Sequence, residues 1–151
     1  MRLWRISNFA DLSGQGGLLG SARWHSRGRR IVYMADHPAS ALLEVLVHLE
    51  VDPAELPDAF RLLAVAVPDG IAAETVQPAK LAGGWKQDLS VTRAAGDRWL
   101  REGRTALLHV PSAIVPVCFN CLLNPAHRDA SAIKVEEIIR APFDARLMKK
   151  P

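Results

Sequence analysis

The chain has 151 residues, of which 49% are hydrophobic and 23% are charged. This composition is typical of a folded globular protein and excludes a disordered one, and the length is sufficient for one domain with its own core. The formal charge of +3 is too small to indicate a nucleic-acid-binding protein, whose basic residues usually cluster on one face. We interpret the densest basic run, RGRR at residues 27–30, as a solvated turn rather than a phosphate-binding patch.

The N-terminal segment, MRLWRISNFADL, lacks the long apolar run of a signal peptide. No window of the sequence approaches the ~20 apolar residues that span a bilayer. We therefore expect a cytoplasmic protein without membrane contact, in which residues 1–151 form a single domain.

The first half of the chain is predicted to begin with three strands. Apolar and polar residues alternate in RLWRIS, and a flexible loop with four glycines follows at residues 13–20. That loop matches neither of the glycine-rich phosphate-binding patterns, GxGxxG and GK[ST]. Two further strands, ARWH and RIVYMA, are predicted on either side of a turn near Gly28. A three-residue turn at 27–29 would pair Arg23 with Tyr33 on one face, a two-residue turn would separate them, and the sequence leaves both registers open.

A helix is predicted in the next segment, DHPASALLEVLVHLE, with Asp36 as its N-cap and Pro38 in its first turn. Glu44 lies on the more polar side of this helix, in one row with Ser40 and His48. The opposite, apolar stripe consists of Leu42, Val45, Leu46 and Leu49.

The second half of the chain adds strands and one more helix. The segment DAFRLLAVAVP predicts a buried strand, and SVTRAAGDRWLREG predicts a helix that ends near Gly103. Two short strands, TALLHVPS and AIVPVCFNCLLNP, are broken by Pro111 and Pro116, and AIKVEEIIRAPF closes the sheet. This order of elements predicts an α+β fold and not a strictly alternating parallel α/β fold.

The two cysteines, Cys118 and Cys121, form a single CxxC pair. A structural zinc site needs four ligands, and a second such pair is missing. If the segment is a strand, residues three apart point to opposite faces of the sheet. We interpret the pair as two reduced, mostly buried thiols and predict no metal site.

Arg23, Tyr33 and Glu44 would together suit a pyridinium N-glycoside such as NAD. A guanidinium can hold a phosphate through paired hydrogen bonds, and a tyrosine ring can stack on the cationic nicotinamide. A carboxylate can stabilise the positive charge that develops at the anomeric carbon. Most glycosidases need two carboxyl groups, because one must protonate the leaving alkoxide. Nicotinamide leaves NAD as a neutral molecule, so one carboxylate is sufficient.

Each of these residues also has a purely structural interpretation. Arg23 would then pair with an acid on a neighbouring strand, and Tyr33 would be a half-buried aromatic with its hydroxyl at the surface. Glu44 would be a solvated helix residue coupled to His48. The spacing alone does not distinguish the two interpretations.

Two segments resemble the signatures of RES-domain proteins, the toxins of bacterial toxin–antitoxin pairs. The first is GSARWHSRGRRIVYMADHPASALLEVLVHLE, and the second is VPSAIVPVCFNCLLNPAHRDASAIKV. The resemblance extends from Leu3 to the neighbourhood of Ile139. The arginine, glutamate and serine that give the family its name correspond to Arg23, Glu44 and Ser112.

The resemblance implies a fold similar to that of ADP-ribosyltransferases, with a mixed sheet and flanking helices, and an enzyme that consumes NAD. Arg23 would bind the NAD phosphates and Tyr33 would stack on nicotinamide. Glu44 would stabilise the oxocarbenium-like transition state, and Ser112 would hydrogen-bond nicotinamide or its ribose. Further motif positions are His25, Asn120, Asn124 and His127. We interpret His25 as structural, with a ribose or phosphate contact as the alternative, and we interpret Asn124 and the proline after it as scaffold.

The resemblance also implies a partner, an antitoxin with a helix-turn-helix region of the Xre type that blocks the NAD pocket and makes the DNA contacts of the complex. A toxin homodimer is a further expectation. The expected function is a toxin that cleaves the nicotinamide–ribose bond and depletes cellular NAD by hydrolysis or phosphorolysis, inhibiting growth. Transfer of ADP-ribose to a protein is the alternative, and the sequence does not identify the acceptor.

Two rival functions remain open at the level of sequence. An RNA-cleaving toxin would need His25, His48 or His109 for acid–base catalysis and would not need Glu44. A non-catalytic binding module would keep the fold without turnover. The sequence is also silent on the acceptance of NADP and on oligomeric state.

Overall fold

The computed structural model describes residues 1–48 and 58–148, and within them seven strands form one mixed sheet accompanied by three α-helices. The predicted α+β class is confirmed. The strands are β1 (Arg2–Ile6), β2 (Val32–Ala35), β3 (Ala59–Ala66), β4 (Ala73–Thr75), β5 (Leu107–Pro111), β6 (Phe119–Leu123) and β7 (Lys134–Pro142). The helices are α1 (Gly16–Leu19), α2 (Pro38–His48) and α3 (Leu89–Glu102).

The sheet has the order β4-β5-β6-β2-β1-β3-β7. The β4–β5 pair is parallel, and the other neighbouring pairs are antiparallel. The N-terminal strand β1 lies inside the sheet, where Trp4 is opposite Ala35 of β2 and Ala64 of β3. Strands β6, β2 and β1 are therefore adjacent although they are distant in sequence, and these three strands carry the floor of the site described below.

The two faces of the sheet support two apolar clusters, because successive side chains of a strand point to opposite faces. The first cluster includes Leu3, Val32, Met34, Leu107, Cys121 and Leu123. The second includes Trp24, Ile31, Trp99, Leu108, Val110 and Leu122. Trp99 belongs to α3, so this helix packs on the second face.

Most of the predicted elements are confirmed. Strands lie at RLWRI, AFRLLAVA, LLHVP, FNCLL and KVEEIIRAP. Helix α3 ends where Gly103 takes a left-handed conformation (φ 57°) and donates its backbone N–H to the Trp99 carbonyl. Strand β4 was not predicted, since its three residues, AET, are too few to show an alternating pattern.

The predicted strand ARWH is wrong, and with it the hairpin that would pair Arg23 with Tyr33. Residues 20–31 form a loop whose backbone pairing is one isolated bridge between Ala22 and His25. Trp24 and His25 are both buried although they are consecutive, which no half-buried strand allows. Tyr33 instead pairs with Leu122 of β6.

The glycine-rich segment is also more regular than predicted. It contains the single turn of α1, and its glycines permit close packing on the 20–31 loop. The Gly17 carbonyl accepts the backbone N–H groups of Gly28 and Arg29. A Cβ atom at Gly17 would lie 2.1 Å from the Arg29 carbonyl oxygen, so the glycine is needed for contact and not for flexibility.

Helix α2 begins as predicted at Pro38, but its cap differs. The ring Nδ1 of His37, and not the side chain of Asp36, accepts the backbone N–H of Ala39 at 3.1 Å. Ala41 is the buried residue of the helix, whereas Leu42, Val45 and Leu46 of the predicted stripe are half-buried. The fourth member of that stripe, Leu49, lies outside the described residues.

The remaining sequence interpretations concern thiols and surface charge. Both cysteines are free, Cys121 is buried and Cys118 is half-buried, and burial raises the pKa of the Cys121 thiol to about 12. In the RGRR run, Arg27 and Arg30 are exposed, while Arg29 forms an ion pair with Asp97. No helix among the described residues is long and apolar enough to cross a membrane.

Helix α3 holds the 20–31 loop through its side chains. Thr92 donates its hydroxyl to the Arg23 carbonyl at 2.6 Å, and Arg93 donates to the Ala22 carbonyl at 2.9 Å. The Asp97 carboxylate accepts the backbone N–H of Ser26 at 2.9 Å. These contacts satisfy backbone groups of the loop that a strand would have paired with a neighbouring strand.

The approach of the loop to α3 depends on Gly96. A Cβ atom at this position would lie 1.8 Å from the Trp24 carbonyl oxygen. Gly96→Ala should therefore lower the free energy of unfolding by about 1–3 kcal/mol, as overpacking does, although the same change inside a helix normally stabilises by up to about 1 kcal/mol. Thermal unfolding measures the difference.

The matched control is Ala94→Gly, on the exposed side of the same helix. It should lose only the intrinsic helix propensity of alanine, about 1 kcal/mol. A Gly96→Ala protein as stable as the wild type would contradict this account of the contact.

Candidate active site

A cavity of about 680 Å³ opens on the sheet beside α2 and the 20–31 loop. Its size lies within the range of about 300–1,000 Å³ that is usual for small-molecule sites. Strands β1, β2 and β6 contribute Trp4, Arg5, Ile6, Tyr33, Met34, Ala35 and Asn120. Helix α2 and the surrounding loops contribute Ala22, Arg23, Trp24, Ala41, Glu44, Val45, Val47, His48, Lys86, Gln87, Ala113 and Ile114.

The carboxylate of Glu44 is held against the sheet. Its Oε1 accepts a hydrogen bond from the Asn120 side-chain amide at 2.6 Å and a longer one from the Ser112 hydroxyl at 3.4 Å. Glu44 comes from α2, whereas Asn120 lies on β6 and Ser112 directly follows β5. The orientation of the carboxylate is thus set by residues that lie 68 and 76 positions further along the chain.

Ser112 lies behind Glu44. It is 7% exposed and is not among the residues that line the cavity. Its hydroxyl oxygen accepts the backbone N–H groups of Ile114 and Val115, both at 3.1 Å, and donates toward Glu44. Its hydrogen-bonding groups are therefore engaged in shaping the loop after β5 and in orienting the carboxylate.

Tyr33 presents its ring to the cavity and keeps its hydroxyl inside the protein. The hydroxyl accepts the backbone N–H of Trp24 at 3.1 Å and lies 2.9 Å from Nδ1 of His25. Burial raises the pKa of this hydroxyl above its ordinary value. The structural interpretation, in which the hydroxyl lies at the surface, is wrong for this residue.

Arg23 reaches the cavity from the 20–31 loop. One of its terminal nitrogens donates to the Lys86 carbonyl at 2.9 Å, which joins the loop to residues 85–87 on the opposite rim. Trp85 stacks in a tilted arrangement on Trp24, with ring centroids 6.2 Å apart. Arg23 takes part in none of the described ion pairs. Its structural interpretation, an ion pair with an acid on a neighbouring strand, therefore has no support among the described residues.

Arg5 is a further cation among the lining residues, and the sequence analysis did not single it out. It lies on β1 opposite Leu63 of β3, so its side chain is on the face of the first apolar cluster, whereas Tyr33 and Asn120 are on the other face. Its Nη1 is buried without a hydrogen-bond partner in the described part of the protein, and burial lowers its pKa. The guanidinium therefore does not face the side of the sheet on which Glu44 lies.

The charges that line the cavity are unequal. Among the described lining residues, Glu44 is the one carboxylate, whereas Arg23 and Lys86 are cations, and the guanidinium of a third, Arg5, lies on the opposite face of the sheet. Within residues 1–48 and 58–148, no three of the histidine, cysteine, aspartate and glutamate side chains come together as a metal-binding group. The cavity is suited to an anionic ligand that also needs one carboxylate.

A sequence model of the RES domain matches residues 2–144 of the chain. The chain belongs to the RES domain family. It is 48% identical to a protein named Toxin Res from Pseudomonas putida over 90% of this chain and 92% of that protein. It is 40% identical to the Prs ADP-ribosylating toxin of Sphingobium sp. over 97% of this chain and 96% of that protein.

The RES-domain signature residues come together at the cavity in two layers. Arg23, Tyr33 and Glu44 line it, as their joint assignment to one ligand requires. Ser112 and His25 lie behind Glu44 and Tyr33, respectively, in contact with these residues. Asn124 is buried and its side-chain oxygen accepts the backbone N–H of Ala126, which agrees with the interpretation of that motif as scaffold.

Three lining residues were not given a role from sequence. Asn120 was recognised as part of a motif, but its contact with Glu44 is visible only in the structure. Arg5 is one arginine in an ordinary alternating strand, and Lys86 lies in a stretch without a motif. Nothing in the sequence distinguishes either of them from a surface cation.

The position of Arg23 at the cavity leads to a binding prediction. ADP-ribose should raise the thermal unfolding midpoint of the wild type, by a stabilisation of about 2.7 kcal/mol at a concentration 100 times Kd. Arg23→Met should lose most of this shift, because the guanidinium that would hold a phosphate is removed while an apolar side chain is kept.

Arg27→Met is the matched control, because Arg27 is exposed in the same loop and is not among the lining residues. This variant should keep the full ligand-induced shift. An equal shift in both variants and the wild type would show that Arg23 does not bind the ligand.

Proposed function

We propose that this chain is the toxin of a bacterial toxin–antitoxin pair and that it cleaves the nicotinamide–ribose bond of NAD, which depletes cellular NAD and inhibits growth. The observation that carries the proposal is the lining of one cavity by a single described carboxylate, Glu44, beside two cations, Arg23 and Lys86, and three aromatic residues. The names of the two relatives support it, because both are called toxins and one of them is called ADP-ribosylating.

The cations are suited to the diphosphate of NAD. Arg23 has one nitrogen engaged with the Lys86 carbonyl, which fixes the guanidinium plane and leaves other N–H groups for a phosphate. Lys86 lines the opposite rim and adds a second positive charge. The two cations match the two negative charges of a diphosphate.

The reaction itself needs little from the protein. The Tyr33 ring would stack on the cationic nicotinamide, and the Glu44 carboxylate would stabilise the positive charge that develops on the ribose ring as the bond breaks. Nicotinamide departs as a neutral molecule with the bonding electrons, so no general acid is required. The hydrogen bond from Asn120 keeps the carboxylate oriented before the charge develops.

Ser112 supports this mechanism through Glu44. Its predicted contact with nicotinamide or ribose remains a prediction, while its described contacts are with Glu44 and with the loop that follows β5. We expect its replacement to act on the carboxylate first.

Three outcomes are possible, and they differ in the acceptor that captures the ADP-ribosyl cation. Water would give hydrolysis, inorganic phosphate would give phosphorolysis, and a protein side chain would give ADP-ribosylation. The last is the second candidate function, because a relative that is 40% identical is named an ADP-ribosylating toxin.

The RNA-cleaving alternative has less support from the site. Of its three candidate histidines, His48 lines the cavity, His25 is buried behind Tyr33, and His109 on β5 is not among the lining residues. The non-catalytic alternative predicts NAD binding without nicotinamide release, which the first experiment tests.

The remaining assignments are also proposals. We propose a cytoplasmic protein that forms one RES domain over residues 1–151, and an antitoxin partner with an Xre-type helix-turn-helix region that covers the cavity and contacts the DNA. A homodimer of the toxin is a further proposal, which rests on the resemblance to the family. No metal is proposed, and NAD is the substrate.

The first experiment measures nicotinamide released from NAD by the purified protein, in buffers with and without inorganic phosphate. Glu44→Gln should lower the rate by about 100-fold or more, the cost of losing one electrostatic group that acts in the transition state. The amide oxygen can still accept the Asn120 hydrogen bond, so the variant should fold. A product that carries phosphate at the anomeric carbon identifies phosphorolysis.

Glu137→Gln, an exposed change on β7, is the control and should release nicotinamide at the wild-type rate. Release by Glu44→Gln at the same rate would contradict the mechanism. If no protein releases nicotinamide in either buffer, labelled NAD with candidate target proteins tests the ADP-ribosylation alternative.

Asn120→Ala tests the orientation of the carboxylate. The variant should lower kcat by about tenfold and change KM for NAD less, because the interaction acts on the group that stabilises the transition state. Steady-state kinetics separates the two constants, with the exposed Asn8→Ala as a control. A raised KM with an unchanged kcat would instead assign Asn120 to substrate binding.

A further inference from the structure

His25 lies one layer behind the cavity. Its side chain is 3% exposed, and it is not among the lining residues. Its Nδ1 is 2.9 Å from the Tyr33 hydroxyl, and its Nε2 is 2.9 Å from the Gly20 carbonyl oxygen. The ring therefore connects the aromatic residue that faces the ligand with the backbone of the glycine-rich segment.

The hydrogen bonds around His25 are consistent with one protonation state. The Gly20 carbonyl can only accept, so Nε2 carries a hydrogen and donates it. The Tyr33 hydroxyl already accepts the Trp24 backbone N–H at 3.1 Å, and its own hydrogen needs an acceptor. Nδ1 is that acceptor when the ring is neutral, and every group of the network is then satisfied.

We propose that neutral His25 is a positioning residue, which fixes the Tyr33 ring in the orientation that stacks on the substrate by accepting the tyrosine hydrogen while donating to Gly20. The inference rests on the proposed function, in which Tyr33 contacts nicotinamide. Protonation of His25 would turn Nδ1 into a donor and leave the tyrosine hydrogen without its acceptor. The Tyr33 ring would then lose its fixed orientation, and catalysis would weaken in acid.

The charged groups near His25 act in opposite directions. Asp97 on α3 favours the protonated ring and Arg93 on α3 opposes it, while the Gly17 and Gly20 carbonyls favour it. Burial is the largest influence and lowers the pKa of His25 below its ordinary value of 6.5. The unfolded chain therefore binds more protons than the folded one as pH falls below 6.5, and the folded state loses stability over that range.

Two substitutions separate the two hydrogen bonds of the ring. In His25→Asn, the side-chain oxygen can take the place of Nδ1 and accept from Tyr33, but this side chain does not titrate. In His25→Gln, the side-chain nitrogen can take the place of Nε2 and donate to Gly20, but the acceptor for Tyr33 is lost. The pair is therefore matched in chemistry and differs in which contact it keeps.

Kinetics of nicotinamide release at pH 7.5 gives the first readout. His25→Asn should keep kcat/KM within about threefold of the wild type, whereas His25→Gln should lose about tenfold to a hundredfold, the range that misplacement of a reacting group produces. Between about pH 7.5 and 5, a range that reaches further below the ordinary pKa of histidine than above it because burial lowers the pKa of His25, kcat/KM should fall for the wild type. It should stay nearly constant for His25→Asn. Equal activity of the two variants, or the same loss in acid for the wild type and His25→Asn, would overturn the proposal.

A second readout does not depend on activity. Tyr33 is the single tyrosine of the chain, so protein labelled with ¹³C at the tyrosine Cζ gives one resonance for this residue. That resonance should shift over the same pH range in the wild type and should not shift in His25→Asn. A wild-type resonance that does not move would overturn the proposal without the use of any variant.

The two readouts distinguish failure of the inference from failure of the proposed function. If no protein releases nicotinamide but the resonance follows His25, the contact is confirmed, whereas its role in catalysis and the proposed function both fail. If nicotinamide is released through Glu44 but the resonance does not respond, the proposed function stands and the role of His25 is wrong.

Discussion

The attachment of the 20–31 loop to α3 is the constraint on which the site depends. This loop carries Arg23 but has almost no backbone pairing of its own, so its carbonyl and N–H groups need other partners. Thr92, Arg93 and Asp97 supply them, and Gly96 allows the two backbones to approach. Helix α3, which contributes none of the described lining residues, thus decides where Arg23 lies.

The same principle applies to the residues that meet the ligand. Glu44 is oriented by Asn120 and Ser112, and Tyr33 is oriented by the Trp24 backbone and His25. Buried polar groups without partners are costly, so a satisfied network favours one arrangement over its alternatives.

Regular elements of the fold were largely predictable, because hydrophobic alternation and helix end signals are local properties of the chain. Strand β1 and helix α3, with its terminal Gly103, follow directly from such signals. The glycine-rich segment and ARWH were misinterpreted for one physical reason. Both are stabilised by contacts with distant residues, Gly17 with the Arg29 carbonyl and Trp24 with α3, and neither contact leaves a periodic pattern.

The sequence by itself determined the chemistry of the site: a single useful carboxylate at Glu44, the guanidinium of Arg23 and the ring of Tyr33, together with the motifs of the RES domain. Only the tertiary structure decided how these groups are held and what joins them. Trp4 enters the cavity because β1 pairs beside β2, and Asn120 reaches Glu44 because β6 pairs on the other side of β2. Strand order arises from pairing between segments that are distant along the chain, so a local pattern that specifies a strand does not specify its neighbour.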